Sequence, residues 1–359
     1  MRDRPETTIL KGLLLIGVLG LCLGAADTAR AQTERLFYYV DQPESYERLK
    51  KHIDQISIVA PAAYSVDSDG VVWGRVDPRV RELAASNDVA VMPLIKNPEF
   101  DQDLLRALLH DSTARNRAIA SMVEQCEKHG YAGFQFDFEN IHISDRDAYT
   151  QFYREAARAL HEAGYRISIA VVHRPAEFAG PTTYHKWLFK NWRAGYDLEA
   201  LSRLGDFVSV MTYAQHTRRM PPGPQAGIPW VRQVIEYFLQ FVPPEKLSLG
   251  IPTGSQRWYT SQEDQIEPEK ARSYSEQLSY KEAMGYVDRY DASVTWSERH
   301  QVPYTFYSNA GAFEWIFLEN ARSFRAKLSL VDEYNLRGFS AWVLGRGDPA
   351  LWEILANRK

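Results

Sequence analysis

The chain has 359 residues, a formal net charge of −4 and charged side chains at 25% of its positions. No basic stripe runs along it, so the sequence predicts no nucleic-acid partner. Apolar residues make up 45% of the chain and aromatic residues 13%. A chain of this composition can bury a large core, and its length suits a single domain if that domain is an α/β barrel.

The N-terminal segment 1–31 has the pattern of a cleaved secretory signal. Lys11 precedes an apolar run over 12–26, and an A-x-A site for a signal peptidase follows at 29–31. The run is shorter than the roughly 20 residues that a membrane span needs, which favours cleavage over a membrane anchor. We therefore expect an exported protein, periplasmic or extracellular, with a mature chain of 32–359 and no stable membrane insertion.

The mature chain contains one cysteine, Cys126, so internal disulfides cannot stabilise it even after export. Its apolar helical neighbours indicate a buried small residue rather than a nucleophile. The histidines are scattered without the spacing of metal ligands. The sequence implies neither a metal nor a cofactor, and it gives no indication of the oligomeric state.

Short apolar segments alternate with longer amphipathic stretches along the mature chain. Strands are predicted at 36–40, 56–64, 89–95, 133–139, 167–172, 207–213, 247–252 and 338–344. Helical patterns such as 145–163 lie between several of them. Strands that alternate with helices form parallel sheets, and eight such strands close a barrel. The sequence therefore predicts a (β/α)8 TIM barrel.

A long gap between the seventh and eighth predicted strands interrupts this alternation. Its polar part, 260–277, has the composition of a loop, whereas 280–290 has a helical pattern. The runs 292–296 and 304–308 resemble short strands. We predict a small α+β insertion at about 255–310, before the last barrel strand and within one domain.

The fourth predicted strand carries the candidate catalytic side chains in the sequence GFQFDFE, from Gly133. Side chains alternate along a strand, so the phenylalanines share one face while Gln135, Asp137 and Glu139 share the other. Both faces of a parallel barrel strand are covered, so the phenylalanines should pack under the outer helices. The acidic face then points into the barrel, with Glu139 at the end where barrel enzymes place their chemistry. An edge strand with a solvated acidic face is the alternative.

Two carboxylates one strand step apart repel each other when both are ionised. Partial burial adds a second penalty, so the pKa of one of them should be raised. A carboxylic acid that keeps its proton near neutral pH can act as a general acid. The segment therefore favours an acid–base site.

The segment GFQFDFEN resembles the catalytic strand of glycoside hydrolase family 18, usually written D-x-x-D-x-D-x-E. It is most similar to the branch related to spore-cortex hydrolases. The resemblance implies that Glu139 is the general acid and Asp137 its orienting neighbour. Ala132 and Gln135 replace the two earlier acidic residues of the pattern. An amide at Gln135 can still hydrogen-bond Asp137, and the resemblance places it among the substrate-binding residues.

Further segments resemble the family in the same order along the chain. These segments are 208–216, 221–231, 245–252 and 335–352. The first resembles the family's M-x-Y-D stretch, which implies that Tyr213 hydrogen-bonds the acetamido group of the substrate and that Met211 lies in the binding site. Ala214 stands where the family has aspartate, a departure that favours reduced or altered activity. In the last segment, Trp342 corresponds to the floor of the sugar pocket.

The family hydrolyses its substrates with help from the substrate itself rather than through a carboxylate nucleophile. The resemblance implies that the 2-acetamido oxygen of the sugar attacks the anomeric carbon while Glu139 protonates the leaving oxygen. It predicts an exported glycosidase whose partner is a β-linked polysaccharide or oligosaccharide containing N-acetylglucosamine, of the peptidoglycan or chitin type. A catalytically silent, lectin-like barrel that binds carbohydrate is the alternative. The presence of both Asp137 and Glu139 favours the enzyme.

Overall fold

A computed structural model describes Met1 and residues 33–217, 220–260 and 273–358. The predicted signal peptide, apart from Met1, lies outside the described residues. Within the described part of the chain, no helix is long and apolar enough to cross a membrane.

The strands of the structure form two separate sheets. In chain order they are β1 (Glu34–Tyr39), β2 (Ile58–Val66), β3 (Val72–Gly74), β4 (Ala90–Val91), β5 (Leu94–Lys96), β6 (Gly133–Phe136), β7 (Arg166–Val172), β8 (Phe207–Met211), β9 (Leu247–Pro252), β10 (Ser255–Thr260), β11 (Ser273–Leu278), β12 (Thr295–Ser297), β13 (Val302–Asn309), β14 (Ala312–Phe317) and β15 (Gly338–Trp342). One sheet is the barrel, and the other belongs to the insertion before the last barrel strand.

Parallel pairing closes the barrel in the order β1, β15, β9, β8, β7, β6, β5 and β2, since β1 pairs with β2 as well. The third barrel strand is in two pieces, because both β4 and β5 pair with β2. Pro93 lies at the break, where a residue without a backbone N–H cannot donate to the ladder. The closed eight-strand barrel confirms the predicted fold.

Helices cover the outside of the barrel or belong to its loops. They are α1 (Pro43–His52), α2 (Pro78–Ala85), α3 (Gln102–His110), α4 (Ser112–His129), α5 (Arg146–Glu162), α6 (Thr183–Leu188), α7 (Leu198–Leu204), α8 (Ile228–Phe238), α9 (Tyr280–Arg289), α10 (Ala321–Glu333) and α11 (Leu351–Ala356). Local signals set several of their ends. Asp101 and Asp111 accept backbone N–H groups at the starts of α3 and α4, and Gly130 ends α4 with a φ of 68°.

The phenylalanines of β6 and of the segment after it pack outward, Phe136 and Phe138 against α5 and Phe134 against the rings of Tyr64 and Tyr131. Phe134, Phe136 and Phe138 are fully buried. The ring of Phe152 in α5 lies 5.3 Å from that of Phe136 and 5.8 Å from that of Phe138. Each buried ring contributes roughly 1.5–3 kcal/mol, so this layer fixes which face of β6 turns inward. The predicted orientation of the phenylalanine face is confirmed.

Cys126 in α4 belongs to the same core. Its side chain is fully buried, and burial raises the pKa of its thiol to about 12. A thiol that stays protonated at physiological pH is a poor nucleophile, as predicted for a core residue.

The insertion is an antiparallel five-stranded sheet in the order β11, β10, β14, β13 and β12, with α9 packed on one face through rings such as Tyr286 on Tyr307. Buried Arg257 of β10 joins neighbouring strands through ion pairs to Glu276 at 2.6 Å and Glu314 at 2.6 Å. The predicted α+β class is therefore confirmed.

Two details of that prediction are wrong. The sheet continues to Phe317 rather than ending at about residue 310. The polar stretch 260–277 was predicted as loop, but its end, Ser273–Leu278, is the edge strand β11. Edge strands can be polar because only one neighbouring strand covers them. Residues 261–272 of that stretch lie outside the described residues.

Candidate active site

The C-terminal ends of the barrel strands surround a cleft of about 600 Å³. Tyr38 of β1, Lys96 of β5, Met211 of β8 and Trp342 of β15 line it, and the loops after β6, β7 and β8 supply most of the rest. The volume and the position are both typical of ligand sites in (β/α)8 barrels.

Strand β6 ends at Phe136, although the sequence predicted a strand through Glu139. The ladder continues one step further, because the Asp137 N–H donates to the Ile95 carbonyl at 2.9 Å. At Glu139 the buried side chain of Asn97 takes the place of the backbone. Its Oδ1 accepts from the Glu139 N–H at 3.2 Å, and its Nδ2 donates to the Glu139 carbonyl at 3.1 Å. One amide therefore holds the main chain of Glu139 on both sides.

Two further hydrogen bonds join the loops after β5 and β6. Asn140 Nδ2 donates to the Phe100 carbonyl at 3.0 Å, and Gln102 Nε2 donates to the Asn140 carbonyl at 2.9 Å. Phe100 and Asn140 have φ angles of 52° and 58°, in the left-handed region, which is unusual for phenylalanine and more common for asparagine. We call Asn97, Phe100, Gln102, Glu139 and Asn140 the β5–β6 clasp. It holds a strained backbone beside the acidic pair, as functional sites often do.

Asp137 and Glu139 both line the cleft; Asp137 is 8% exposed and Glu139 is half-buried. Burial raises the pKa of both carboxyl groups, and the charge of Asp137 raises the pKa of Glu139 further. The Lys96 ammonium opposes both shifts without cancelling them. The pair therefore keeps a proton at a pH where ordinary carboxyl groups have lost theirs. Glu139 is the member better placed to give it to a ligand.

Aromatic rings form one surface of the cleft. Trp342 contacts Tyr38 and Tyr213, with ring centroids 5.3 Å and 6.5 Å away, and the planes of Trp342 and Tyr213 differ by 26°. Burial raises the pKa of Tyr213 well above its ordinary value, and Tyr38, Asp137 and Glu139 raise it further. The Tyr213 hydroxyl is therefore neutral and can donate a hydrogen bond into the cleft. Trp342 adds a flat apolar surface beside it.

The two other residues that we predicted to bind substrate lie differently. Met211 of β8 lines the cleft and is 8% exposed. Gln135 is fully buried and does not reach the cleft. Its Nε2 donates to Ser209 Oγ at 3.1 Å rather than to Asp137, and Ser209 is in turn bonded to Ser340 at 2.8 Å. Gln135 therefore belongs to a polar layer inside the barrel, and the geometry does not support direct contact with substrate.

A further side of the cleft was not predicted. We call residues 183–193 the α6 wall; it consists of α6 and a π-helical turn, Phe189–Arg193. Its cleft-lining side chains are Tyr184, Trp187, Leu188, Trp192 and Arg193. The density of aromatic residues in this stretch is the only sequence signal that marks it. His173, just after β7, lines the cleft beside it.

Ala214, at the position of the family's aspartate, also lines the cleft and has a φ of 56°. Within the described residues, Asp137 and Glu139 are the only acidic side chains that line the cleft. No group of three histidine, cysteine or acidic residues in the same described part of the chain could hold a metal ion.

Comparison with known proteins agrees with this geometry. The profile of glycosyl hydrolases family 18 matches residues 35–347. The cortical fragment-lytic enzyme of Bacillus subtilis strain 168 is 31% identical over 283 residues, which cover 78% of this chain and 62% of that enzyme. The chain therefore spans less than two thirds of that relative.

Solved structures share the fold. A chitinase from Chromobacterium violaceum superposes with a TM-score of 0.78 at 25% identity, covering 90% of this chain and 98% of the other. The spore cortex-lytic enzyme SleL from Bacillus megaterium QM B1551 superposes with a TM-score of 0.78 at 23% identity, covering 91% of this chain and 74% of the other.

Proposed function

The chain belongs to glycosyl hydrolases family 18, and on that premise we propose that it hydrolyses β-linked glycans containing N-acetylglucosamine. The observation that carries the proposal is the placement of Asp137 and Glu139, two adjacent carboxyl groups in the cleft whose pKa values are both raised. A protein that only binds sugar does not need a proton donor with a raised pKa. The pair therefore argues against a catalytically silent, lectin-like barrel.

In the first step, Glu139 gives its proton to the glycosidic oxygen as the bond from that oxygen to the anomeric carbon breaks. The carbonyl oxygen of the sugar's own 2-acetamido group attacks the anomeric carbon and forms a cyclic oxazolinium ion. Asp137 stabilises the positive charge that develops on the acetamido nitrogen. The Tyr213 hydroxyl orients the acetamido group, and Trp342 stacks beneath the ring.

In the second step, the Glu139 carboxylate removes a proton from an incoming water. The water oxygen bonds to the anomeric carbon, and the acetamido group is released. Glu139 is thereby protonated again, and the configuration of the sugar is retained. No protein nucleophile is needed, which suits a cleft in which the described acidic side chains are this pair alone.

We also propose a bacterial peptidoglycan-type glycan as the preferred substrate, with chitin as the alternative. Relatives named as cortical fragment-lytic and spore cortex-lytic enzymes support the first, and a chitinase of the same fold supports the second. Export through the predicted signal peptide would bring the enzyme to either polymer outside the cytoplasm.

Glu139→Gln tests the catalytic proposal directly. Loss of a general acid should lower kcat on a chromogenic N-acetylglucosamine oligomer by about 10²–10⁴-fold, with KM little changed because glutamine has nearly the same shape. Glu99→Gln is the matched control, since Glu99 is an exposed carboxylate near the same loops and does not line the cleft. Equal turnover by wild type and Glu139→Gln would reject the proposal.

A further inference from the structure

The cleft contains a second set of polar atoms, which the proposed chemistry does not use. His173 and Arg193 both line it. His173 is 5% exposed and its Nδ1 has no hydrogen-bond partner, and the buried Nε of Arg193 has none either, among the residues that the structure describes. Buried polar groups in folded proteins are almost always hydrogen-bonded. Two open groups that line one cleft therefore point to a ligand that completes them.

Arg193 also lacks an acidic partner within the described ranges. Arg174, whose Nη1 donates to the Arg193 carbonyl at 3.2 Å, is paired with Glu177 at 3.2 Å. No described carboxylate lies within ion-pair distance of Arg193. Burial lowers the pKa of Arg193 to about 10, which still leaves the guanidinium charged at neutral pH. A partly buried cation without an anion is costly until a ligand supplies one.

Among the described side chains of the α6 wall and His173 that line the cleft, the positive charge is carried by Arg193. Burial lowers the pKa of His173 well below its ordinary value, and the neighbouring Arg193 charge lowers it further, so the imidazole is neutral. Lys96, the other described cation that lines the cleft, acts on Asp137 and Glu139. Arg193 does not contribute to the pKa of either carboxyl group. The Arg193 charge therefore does not act on the acidic pair, and it is available to bind substrate.

We propose that Arg193 binds a carboxylate carried by the glycan substrate and thereby selects acidic glycans over neutral ones. A planar guanidinium matches the two oxygens of a carboxylate better than any other side chain. The Tyr184 and Trp187 rings, 6.1 Å apart and within 17° of parallel, provide an apolar surface on the same α6 wall. The open nitrogen of His173 offers one more hydrogen bond to a polar group beside the carboxylate.

This inference rests on the proposed hydrolase function and narrows its substrate class. The recognised glycan carries a carboxylate either on the sugar, as in the lactyl ether of N-acetylmuramic acid, or on a peptide attached to it. Chitin has no such group. Arg193 is thus assigned as the residue that distinguishes the two polymers.

The test compares wild type, Arg193→Gln and Lys190→Gln on four soluble oligosaccharides. These are an N-acetylglucosamine–N-acetylmuramic acid oligomer with free lactyl carboxylates, the same oligomer with those carboxylates converted to methylamides, its peptide-bearing form, and chitotetraose. Lys190 is the matched control because it is an exposed cation in the same turn and does not line the cleft.

Arg193→Gln should lower kcat/KM on a carboxylate-bearing substrate by about 10–100-fold, the effect of losing one charge-assisted hydrogen-bonded contact, mainly through KM. On the methylamide and on chitotetraose, kcat/KM of Arg193→Gln should stay within about threefold of wild type, a difference well below the expected 10–100-fold loss. Lys190→Gln should match wild type on all four. Arg193 dependence with the lactyl acid identifies the sugar as the source of the carboxylate, and dependence only with the peptide-bearing form identifies the peptide; both support the proposal.

An equal loss on all four substrates, or no loss on any carboxylate-bearing one, would overturn it. Binding measured by calorimetry in the Glu139→Gln background keeps this test independent of turnover. If Glu139→Gln turns over substrate as fast as wild type, the hydrolase proposal fails. If turnover depends on Glu139 but neither turnover nor binding distinguishes the acid from the methylamide, only the assignment of Arg193 fails.

Discussion

The β5–β6 clasp and the α6 wall face the same cleft, but they differ in how completely their polar groups are bonded. In the clasp, the N–H and the carbonyl of Glu139 are both held by Asn97. In the α6 wall, the buried Nε of Arg193 has no partner within the described residues. In the proposed function, the first region positions Glu139 for proton transfer, whereas the second leaves Arg193 without an acidic partner and able to bind a ligand. Chemistry and substrate choice are therefore assigned to separate loops.

After Glu139→Gln, Asp137→Asn should have the largest effect, and that effect should fall on the chemical step. If Asp137 stabilises charge in the transition state as we propose, kcat should drop by about 10²–10³-fold. Glu139 donates only when protonated, so activity falls as pH rises through its pKa. The charge of Asp137 raises that pKa, so the variant should move the basic limb of the kcat profile to lower pH.

Comparing the kcat–pH profiles of Asp137→Asn and Arg193→Gln shows whether the β5–β6 clasp and the α6 wall act independently. Arg193→Gln should leave the basic limb in place, because Arg193 does not act on the pKa of Glu139. A shift of that limb in Arg193→Gln, or an unchanged limb in Asp137→Asn, would contradict the division between clasp and wall.

The fold could be predicted largely from local patterns, because each barrel strand is a short apolar run. The errors arose where a side chain replaced the backbone or a strand lay at an edge. Strand β6 is shorter than predicted because Asn97, 42 residues before Glu139, takes over the hydrogen bond of the ladder. Strand β11 was missed because an edge strand can be as polar as a loop.

The candidate site could be predicted only where its residues follow a pattern of period two. Alternation placed Gln135, Asp137 and Glu139 on the inner face, but it did not predict how deep in the barrel each side chain lies. Gln135 proved to lie inside the barrel, below the cleft. Arg193 stands in a π-helical turn that follows neither a strand nor a regular helix pattern. The role that we propose for it rests on the absence of an acidic partner among the described residues, which only a three-dimensional structure can reveal.

Asn97→Ala should have the next largest effect, since it frees the main chain of Glu139 on both sides. A small displacement of the acid is enough to lower kcat by about 10–100-fold, while KM should change little. Gln102→Ala is the control within the clasp, because it removes the hydrogen bond to the carbonyl of Asn140, the residue after Glu139. The loss of kcat in Gln102→Ala should be smaller than that in Asn97→Ala.

Asn97→Asp distinguishes positioning from mere stability. The aspartate keeps an acceptor for the Glu139 N–H but adds a negative charge near the pair, so the pKa of Glu139 should rise. The basic limb of the kcat profile should then move to higher pH, which a purely structural role would not cause. A kcat loss in Asn97→Ala no larger than that in Gln102→Ala would refute the role assigned to Asn97.

The smallest predicted effect is on stability: Glu139→Gln should lower activity but raise the free energy of unfolding. Because the pKa of Glu139 is higher in the folded than in the unfolded chain, the folded state holds more protons between the two values, and the free energy of unfolding decreases as pH rises through that window. Glutamine cannot ionise, so Glu139→Gln should be more stable than wild type by about 1–2 kcal/mol above the window, discounted for partial exposure, and should lose that advantage below about pH 4. Urea unfolding of wild type and Glu139→Gln, once above this pH window and once below about pH 4, measures the difference in the free energy of unfolding. Glu99→Gln should show no such difference because the Glu99 carboxylate is exposed. An equal gain in stability of Glu139→Gln at both pH values would mean that the ionised Glu139 carboxylate does not destabilise the fold. The contrast between the clasp and the wall would then lack support from stability.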